Sequence, residues 1–307
     1  MANKIVVVGS SNTDMIIKLD RLPKPGETVI GGNFSMAAGG KGANQAVAAA
    51  RAGGDVTFVA RVGDDMFGRQ AVEGFESDGI DVRHVLADSE APSGVALIFV
   101  DKHGENSIAV ASGANARLTP ADVLAAGDAI RSADIVVTQL ETPIETVQAT
   151  VELAAEHNVP AVLNPAPAQT LGEDVLRHVT VLTPNETEAA LLTGIEVSSE
   201  TDAAAAAEKL SARGVGAILI TLGSRGAFVF DADHRELVPG FQLKAVDTTA
   251  AGDVFNGALA VALANGEEIV DAVRFANAAA ALSVTKLGAQ PSAPTRAEID
   301  KLIRRGV

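Results

Sequence analysis

Asp253 stands directly after Ala250, Ala251 and Gly252 in the stretch VDTTAAGDVFNGALA, residues 246–260. Small residues ahead of an apolar run predict the mouth of a buried helix. Its first N–H groups are unpaired, in a backbone that a ligand can approach closely, and such a mouth holds anions. An acid in that first turn has two readings. It complements the helix dipole or caps the helix. Alternatively, the backbone holds a migrating phosphoryl group while the carboxylate accepts the proton of an attacking hydroxyl. In the second reading Asp253 is a general base and Ala250, Ala251 and Gly252 form the anion hole.

Other side chains suit a partner for that chemistry. Asn12 and Asp14 follow the first apolar run, at the edge where open α/β sheets bind ligands. An amide and a carboxylate so spaced present donors and acceptors to vicinal hydroxyls; the competing reading is an Asx turn. Glu141 ends IVVTQLE on the same edge, and its competing reading is a solvated strand end. In AAGGKGANQAVAAARAGG, residues 37–54, paired glycines admit close approach of backbone to a ligand. A helix begins near Gly42, so Gly40, Lys41 and Asn44 sit at its mouth. A tight turn with alanines chosen for packing explains the alanines but leaves Lys41, Asn44 and Gln45 unexplained.

Two further stretches remain open between a plain and a chemical reading. TPNETEA, residues 183–189, places Asn185 and Glu188 at a strand-to-helix junction. The acids there either match the helix dipole or organise a hydrated Mg²⁺ near phosphates. TLGSRGAFVF, residues 221–230, is a hairpin turn or a glycine-rich loop along a nucleotide. Two familiar phosphate loops are missing. The first strand is followed by GSSNTD, which is no dinucleotide fingerprint and argues against a nicotinamide dehydrogenase. The Gly40–Lys41 pair is followed by Gly42, with Ser at position 35, which is no Walker loop.

These residues need a scaffold that brings them to one edge. Apolar runs at 5–9, 56–62, 135–140, 161–164, 179–183 and 217–221 predict buried strands. Helical patterns at 42–52, 67–77, 144–157, 186–193 and 201–213 alternate with them, and 252–264 and 269–285 close the chain. The rhythm predicts an α/β fold, a three-layer Rossmann-like sandwich on a central, mostly parallel sheet. Residues 14–37 and 93–110 break it, reading as strand pairs joined by polar turns. They predict a small β subdomain inserted into a single domain spanning 1–307.

Composition sets limits. The 307 residues are 47% apolar but only 3% aromatic, so the core is aliphatic and alanine-rich. Thirty-nine acids face 24 bases, a formal charge of −15 that disfavours nucleic acid. Cysteine is absent, which excludes disulfides and thiolate chemistry. The first apolar run is too short for a signal peptide, and no run is long enough for a membrane span. A soluble cytoplasmic protein is expected.

The ordered set NTD (12–14), GGKGANQA (39–46), NPAPA (164–168), TPNETEA, TLGSRG, DTTAAGD (247–253), FNGA (255–258) and KLGAQPS (286–292) resembles the ribokinase family of sugar and nucleoside kinases over nearly the whole chain. Each motif alone is weak; their order and spacing together are specific. The resemblance implies ATP-dependent phosphorylation of D-ribose at O5 to ribose 5-phosphate. Asn12, Asp14, Gly40, Lys41, Asn44 and Glu141 would hold the sugar, with Asp253 as base. Asn185, Thr221, Gly223, Ser224, Gly226, Gly252 and Asn277 would line the ATP site, with Glu188 in the Mg²⁺ region. A monovalent cation, normally K⁺, would map to Asp247, Thr249, Ser283, Lys286, Gly288 and Ser292, partly through carbonyls. The β subdomain would be a lid that covers the sugar and pairs with a second subunit's lid. Two departures are visible: Val254 stands where the family commonly has Thr, and Asn277 where members can carry His. The alternatives are a kinase for deoxyribose, fructose or a nucleoside, and a non-catalytic sugar-binding regulator on the same fold.

Overall fold

Short β-branched runs become strands, and the alanine-rich stretches between them become helices. The computed structural model describes residues 3–103 and 105–306. The first half contains β1 (Lys4–Val8), β2 (Asn12–Lys18), β3 (Asn33–Gly39), α1 (Lys41–Arg51), β4 (Asp55–Gly63), α2 (Met66–Ser77), β5 (Asp81–Asp88), β6 (Gly94–Val100) and β7 (Asn106–Ala111). There follow α3 (Pro120–Ala125), α4 (Gly127–Arg131), β8 (Ile135–Thr138), α5 (Ile144–Glu156), β9 (Ala161–Leu163), α6 (Glu173–Leu176), β10 (Val181–Leu182), α7 (Glu186–Thr193) and α8 (Glu200–Ser211). The last part holds β11 (Ala217–Thr221), β12 (Gly226–Phe230), β13 (Arg235–Pro239), α9 (Ala251–Ala264), α10 (Ile269–Ser283) and α11 (Arg296–Arg305).

Nine strands form the main sheet in the order β13-β12-β11-β10-β9-β8-β1-β4-β5. From β11 through β5 every neighbouring pair is parallel, while β12 and β13 run antiparallel at one edge. An aliphatic core covers each face. One face carries Ile5, Val7, Phe58 and the alanines of α1, α9 and α10; the other carries Val6, Val8, Val136, Leu163 and helices α5 and α8. The alanines have a definite use. A Cβ added at Gly257 of α9 would stand 2.6 Å from the Gln45 carbonyl oxygen of α1, so these helices touch backbone to backbone. That close contact carries Asn44 and Gln45 up to Asp253.

The expected β subdomain is a separate four-stranded sheet, β3-β2-β6-β7. Its two hairpins are joined by a parallel β2–β6 pair. In register, Asp14 lies beside Ala37 and Ala96, whereas Met15 lies beside Met36 and Leu97 on the opposite face. Phe34, Met36, Leu97, Ile108 and Val110 are all exposed. Several expectations shift in detail. α9 starts at Ala251 and α10 ends at Ser283. The run at 179–183 contributes only the two-residue strand β10. Residues 221–230 form the plain hairpin, in which a 3₁₀ turn over Gly223–Arg225 joins β11 to β12.

Candidate active site

The cleft lies beyond the carboxyl ends of the parallel strands, and strand order becomes an order of functional groups. Thr221 ends β11; Thr183 and Asn185 follow β10; Asn164 follows β9; Gln139 and Glu141 follow β8; Ser10 and Asn12 follow β1. Asp253, in the first turn of α9, lines one polar cavity with Lys41, Asn164, Thr183, Asn185 and Glu188. It is 5% exposed. Asn44 donates from Nδ2 to Asp253 Oδ2 at 2.9 Å, and Gln45 from Nε2 to Oδ1 at 3.1 Å. No side chain caps α9. Asp253 is therefore turned to the amides of α1 and not to its own helix, which disposes of the capping alternative. Burial pushes its carboxyl above the usual range, while the Lys41 ammonium and the two amides hold it back.

Of the three residues expected to form an anion hole, Ala251 has its N–H already engaged. Ala250 takes a left-handed φ of 58° ahead of the helix, and the Ala251 N–H turns back to the Thr248 carbonyl at 3.3 Å. At a helix start the N–H groups of Gly252 and Asp253 come next without an intrahelical partner. A Cβ added at Gly252 would have nothing within 4 Å, and Gly252 borders both the polar cavity and a neighbouring apolar one. The missing side chain keeps the passage between the two open.

At the β1 end, charge is concentrated. Burial first, then the Glu141 and Asp253 carboxylates, push Asp14 up to about 6, against Lys41. Burial disfavours the Lys41 ammonium, yet Asp253, Glu141, Glu188 and Asp14 together hold it above its ordinary value. Glu141 Oε2 accepts from the Ser10 hydroxyl at 2.6 Å and the Lys41 N–H at 3.0 Å. It thereby caps α1, whose N-cap Gly40 offers no side chain. Asn44 Oδ1 is buried without a partner, an acceptor left for a ligand hydroxyl. Asn12 Oδ1 accepts from Asn115 Nδ2 at 2.7 Å, so the Asn12 amide presents its N–H groups elsewhere. Asn115 also clasps the Ser11 backbone, accepting its N–H at 2.8 Å and donating to its carbonyl at 3.0 Å.

The β11 end carries no charge on its walls. Thr221, Gly223, Ser224 and Gly226 line an apolar cavity with Phe241, Leu243, Phe255, Ala280 and Val284. Asn277 lines it too, donating to the Val238 carbonyl at 3.1 Å. Asn185 and Glu188 form a capping box on α7: Glu188 Oε2 accepts the Asn185 N–H at 2.9 Å and Asn185 Oδ1 accepts the Glu188 N–H at 2.8 Å. The dipole reading of TPNETEA thus holds locally. Glu188 still borders the polar cavity, its carboxyl raised first by burial, and one oxygen lies outside the box.

Of the residues expected around a monovalent cation, Thr249 and Gly288 meet at Asp247, while the side chains of Ser283, Lys286 and Ser292 are engaged elsewhere. Asp247 Oδ1 accepts from the Thr249 N–H and hydroxyl, and Oδ2 from the Gly288 N–H at 2.9 Å. Burial alone would raise this carboxyl; those hydrogen bonds outweigh it and hold Asp247 below the usual range. The hydroxyls of Ser283 and Ser292 turn to the Ala280 and Ala289 carbonyls, and Lys286 pairs with Glu298. Among the described residues no three carboxylate, imidazole or thiolate groups converge as a metal site. With those side chains engaged, only the Asp247 carboxylate and backbone carbonyls remain in this loop as oxygen donors for a hard monovalent ion.

Two residues of the site carried no mark in the sequence. Asn115 lies in a 3₁₀ turn pinned by Arg117, whose Nε donates to Asp88 at 2.7 Å. Gln139 is 1% exposed behind Gln45. Each is a single amide in an unremarkable stretch, and only the folded contact gives it a partner.

Comparison with known proteins agrees with this geometry. Residues 2–296 match the pfkB family carbohydrate kinases. The chain is 45% identical to the ribokinase of Haemophilus influenzae, covering 97% of each chain. It is 38% identical to a deoxyribokinase of Salmonella typhi, covering 95% of each. The structure of Arabidopsis thaliana ribokinase complexed with ribose and ATP superposes with a TM-score of 0.90 at 35% identity, covering 99% of each chain. Its sequence, its two sheets and the carboxylate at the start of α9 agree: the chain belongs to the pfkB family of carbohydrate kinases.

Proposed function

We propose that this protein transfers the γ-phosphoryl group of ATP to O5 of D-ribose, giving ribose 5-phosphate and ADP. The carrying observation is Asp253: a buried carboxylate, turned away from its own helix, beside uncapped N–H groups and between a charged pocket and an apolar one. Ribokinases at 40–45% identity over nearly the full chain support the sugar and the donor.

In this reading Asn12, Asp14, Lys41, Asn44 and Glu141 bind the ribose hydroxyls, next to Gly40. Asp253 accepts the O5 proton while the bond from O5 to phosphorus forms. The bond between the γ-phosphorus and the bridging oxygen breaks, and the negative charge leaves on ADP. The N–H groups of Gly252 and Asp253 hold the transferring oxygens; Lys41 offsets their charge. Burial makes Asp253 a stronger base than an exposed aspartate. Thr221, Gly223, Ser224, Gly226 and Asn277 line the adenosine pocket. Asn185 and Glu188 would hold Mg²⁺ through water, where it would shield phosphate charge. The Asp247–Thr249 turn and the carbonyls of 283–292 would hold K⁺ and steady the loop ahead of Ala250.

The exposed apolar residues of the small sheet suit a second copy of the lid, hence a homodimer. Among the described residues no helix is long and apolar enough to cross a membrane; dependence on ATP would place the proposed activity in the cytoplasm.

A panel of ribose, deoxyribose, fructose and adenosine with ATP tests the assignment. Ribose should be preferred by at least tenfold in kcat/KM. Equal or better use of deoxyribose would move the substrate to that sugar.

A further inference from the structure

Asp253 is held by a closed ring of neutral groups. Gln45 Nε2 donates both to Asp253 and to Asn164 Oδ1 at 3.1 Å. Asn164 Nδ2 donates to the Thr183 carbonyl at 3.2 Å, and the Thr183 hydroxyl to Asn256 Oδ1 at 2.6 Å. Asn256 Nδ2 donates to the Gly252 carbonyl at 2.8 Å, one residue before Asp253. Exposure is 0% for Gln45, 6% for Asn164 and 1% for Thr183 and Asn256, so water does not compete for these bonds. The ring ties the base and the backbone of its anion site into one unit.

Such a ring works only with its amides in one orientation. An ionised carboxylate accepts and never donates, so Gln45 must turn its NH₂ toward Asp253. Gln45 Oε1 then faces the other way and needs a donor. Gln139 supplies it from Nε2 at 2.8 Å. The far oxygen of Gln139 has no partner and would stand 2.1 Å from a Cβ added at Gly9. The room left by Gly9 therefore belongs to this amide. Were Gln45 to turn over, its oxygen would meet the Asp253 oxygen in a buried site. Asp253 would then take up a proton to restore a hydrogen bond, and a protonated Asp253 cannot accept one from a substrate.

We propose that Gln139 is a positioning residue for phosphoryl transfer: by donating to Gln45 it sets the polarity of the amide ring, so that N–H groups face Asp253 and the carboxylate stays ionised and aimed at the cavity. This rests on Asp253 being the general base. The charged groups facing Asp253 are Lys41 of α1, Asp14 of β2, Glu141 after β8 and Glu188 of α7. Replacing Gln139 leaves all four in place.

The test is the single-turnover rate of phosphoryl transfer against pH for the wild type, Gln139→Glu and Gln139→Met, with KM for ribose and melting curves alongside. An ionised Glu at 139 only accepts, and draws the Gln45 NH₂ away from Asp253. Its acid limb should move up by about one pH unit, so that the rate falls about tenfold at pH values well below the limb and changes little above it. KM for ribose should stay within about threefold. Met removes the donor while keeping the volume, so its limb should move the same way by less. A packing role would lower the rate and Tm and leave both limbs where they were, and that result overturns the proposal. An ionised Glu also adds a buried negative charge that raises Asp253 by itself, so the Met variant, which adds none, decides. Asp253→Asn, measured in parallel, separates the two readings. Activity retained there sinks the base and this proposal with it; activity lost there, with unmoved Gln139 limbs, sinks the role of Gln139 alone.

Discussion

The two ends of the cleft are built by different physics. Around β1, four carboxylates (Asp14, Glu141, Asp253 and, from α7, Glu188) share one ammonium, Lys41, in a largely buried space. Around β11 the walls are aliphatic, aromatic and backbone, with no charged side chain among them. A sugar offers only hydroxyls, which need directed donors and acceptors, and burying those groups without partners is costly. A flat heterocycle is held by apolar faces and backbone, with few polar contacts. Substitutions at the first end should therefore be felt steeply and with pH; those at the second should be shallow.

The steepest test is Asp253→Asn. It keeps the shape and the contact with Gln45 or Asn44 but removes the base. Turnover should fall by about three orders of magnitude or more, while calorimetry shows ribose and ATP still bound. Turnover above a tenth of normal would refute the contrast at its centre.

Both ends bear on how much the sequence disclosed. At the charged end most of the groups that the structure brings together had stood out in the sequence, because charge and amide chemistry are conspicuous in a chain this rich in alanine: Asp14, Lys41, Asn44, Glu141 and Asp253 all converge. At the apolar end the motif TLGSRG read either as a hairpin turn or as a glycine-rich loop along a nucleotide; it folds as a hairpin, and its place beside Phe241 and Val284 makes it the wall of a cavity. Tertiary contact likewise hid Asn115 and Gln139, which act on Asn12 and Gln45 from distant parts of the chain. The parallel strands were readable as apolar runs. β5, with the sequence DVRHVLAD, was not: as an edge strand it stays half-exposed and carries charge.

Between the two ends stands Gly252. Alanine there places a methyl in the open passage between the cavities. The rate should fall about 10- to 100-fold, while Tm holds or rises, since alanine favours a helix over glycine by up to about 1 kcal/mol. A variant that loses stability along with activity would mean that the glycine serves the fold and not the phosphoryl group.

Asp14 gives the contrast its pH dependence. Its folded value of about 6 lies above the ordinary 3.8. A carboxyl raised in this way contributes stability below the unfolded value, and that contribution is lost as pH rises through about 6. Asp14→Asn should accordingly raise Tm at pH 8 relative to pH 5. Ribose binding should move the opposite way, because the ionised form accepts from hydroxyls. In the wild type KM for ribose should climb up to about tenfold per pH unit below about 6, and in Asp14→Asn it should be high and flat. A wild-type KM that is level from pH 7 to 5 would remove Asp14 from the sugar site.

At the other end the expected effects are smallest. Asn277 donates its NH₂ to the carbonyls at the end of β13, so its donor is already spent on the wall of the pocket. Asn277→Ala leaves the Val238 carbonyl without that donor, at about 1 kcal/mol of stability, and removes no N–H group that is free for the nucleotide. KM for ATP should stay within about threefold and KM for ribose should not change, even as Tm drops. A tenfold rise in KM for ATP without loss of Tm would mean that the Asn277 amide turns from β13 to the nucleotide when ATP binds, and the uncharged end would then also depend on a directed side chain.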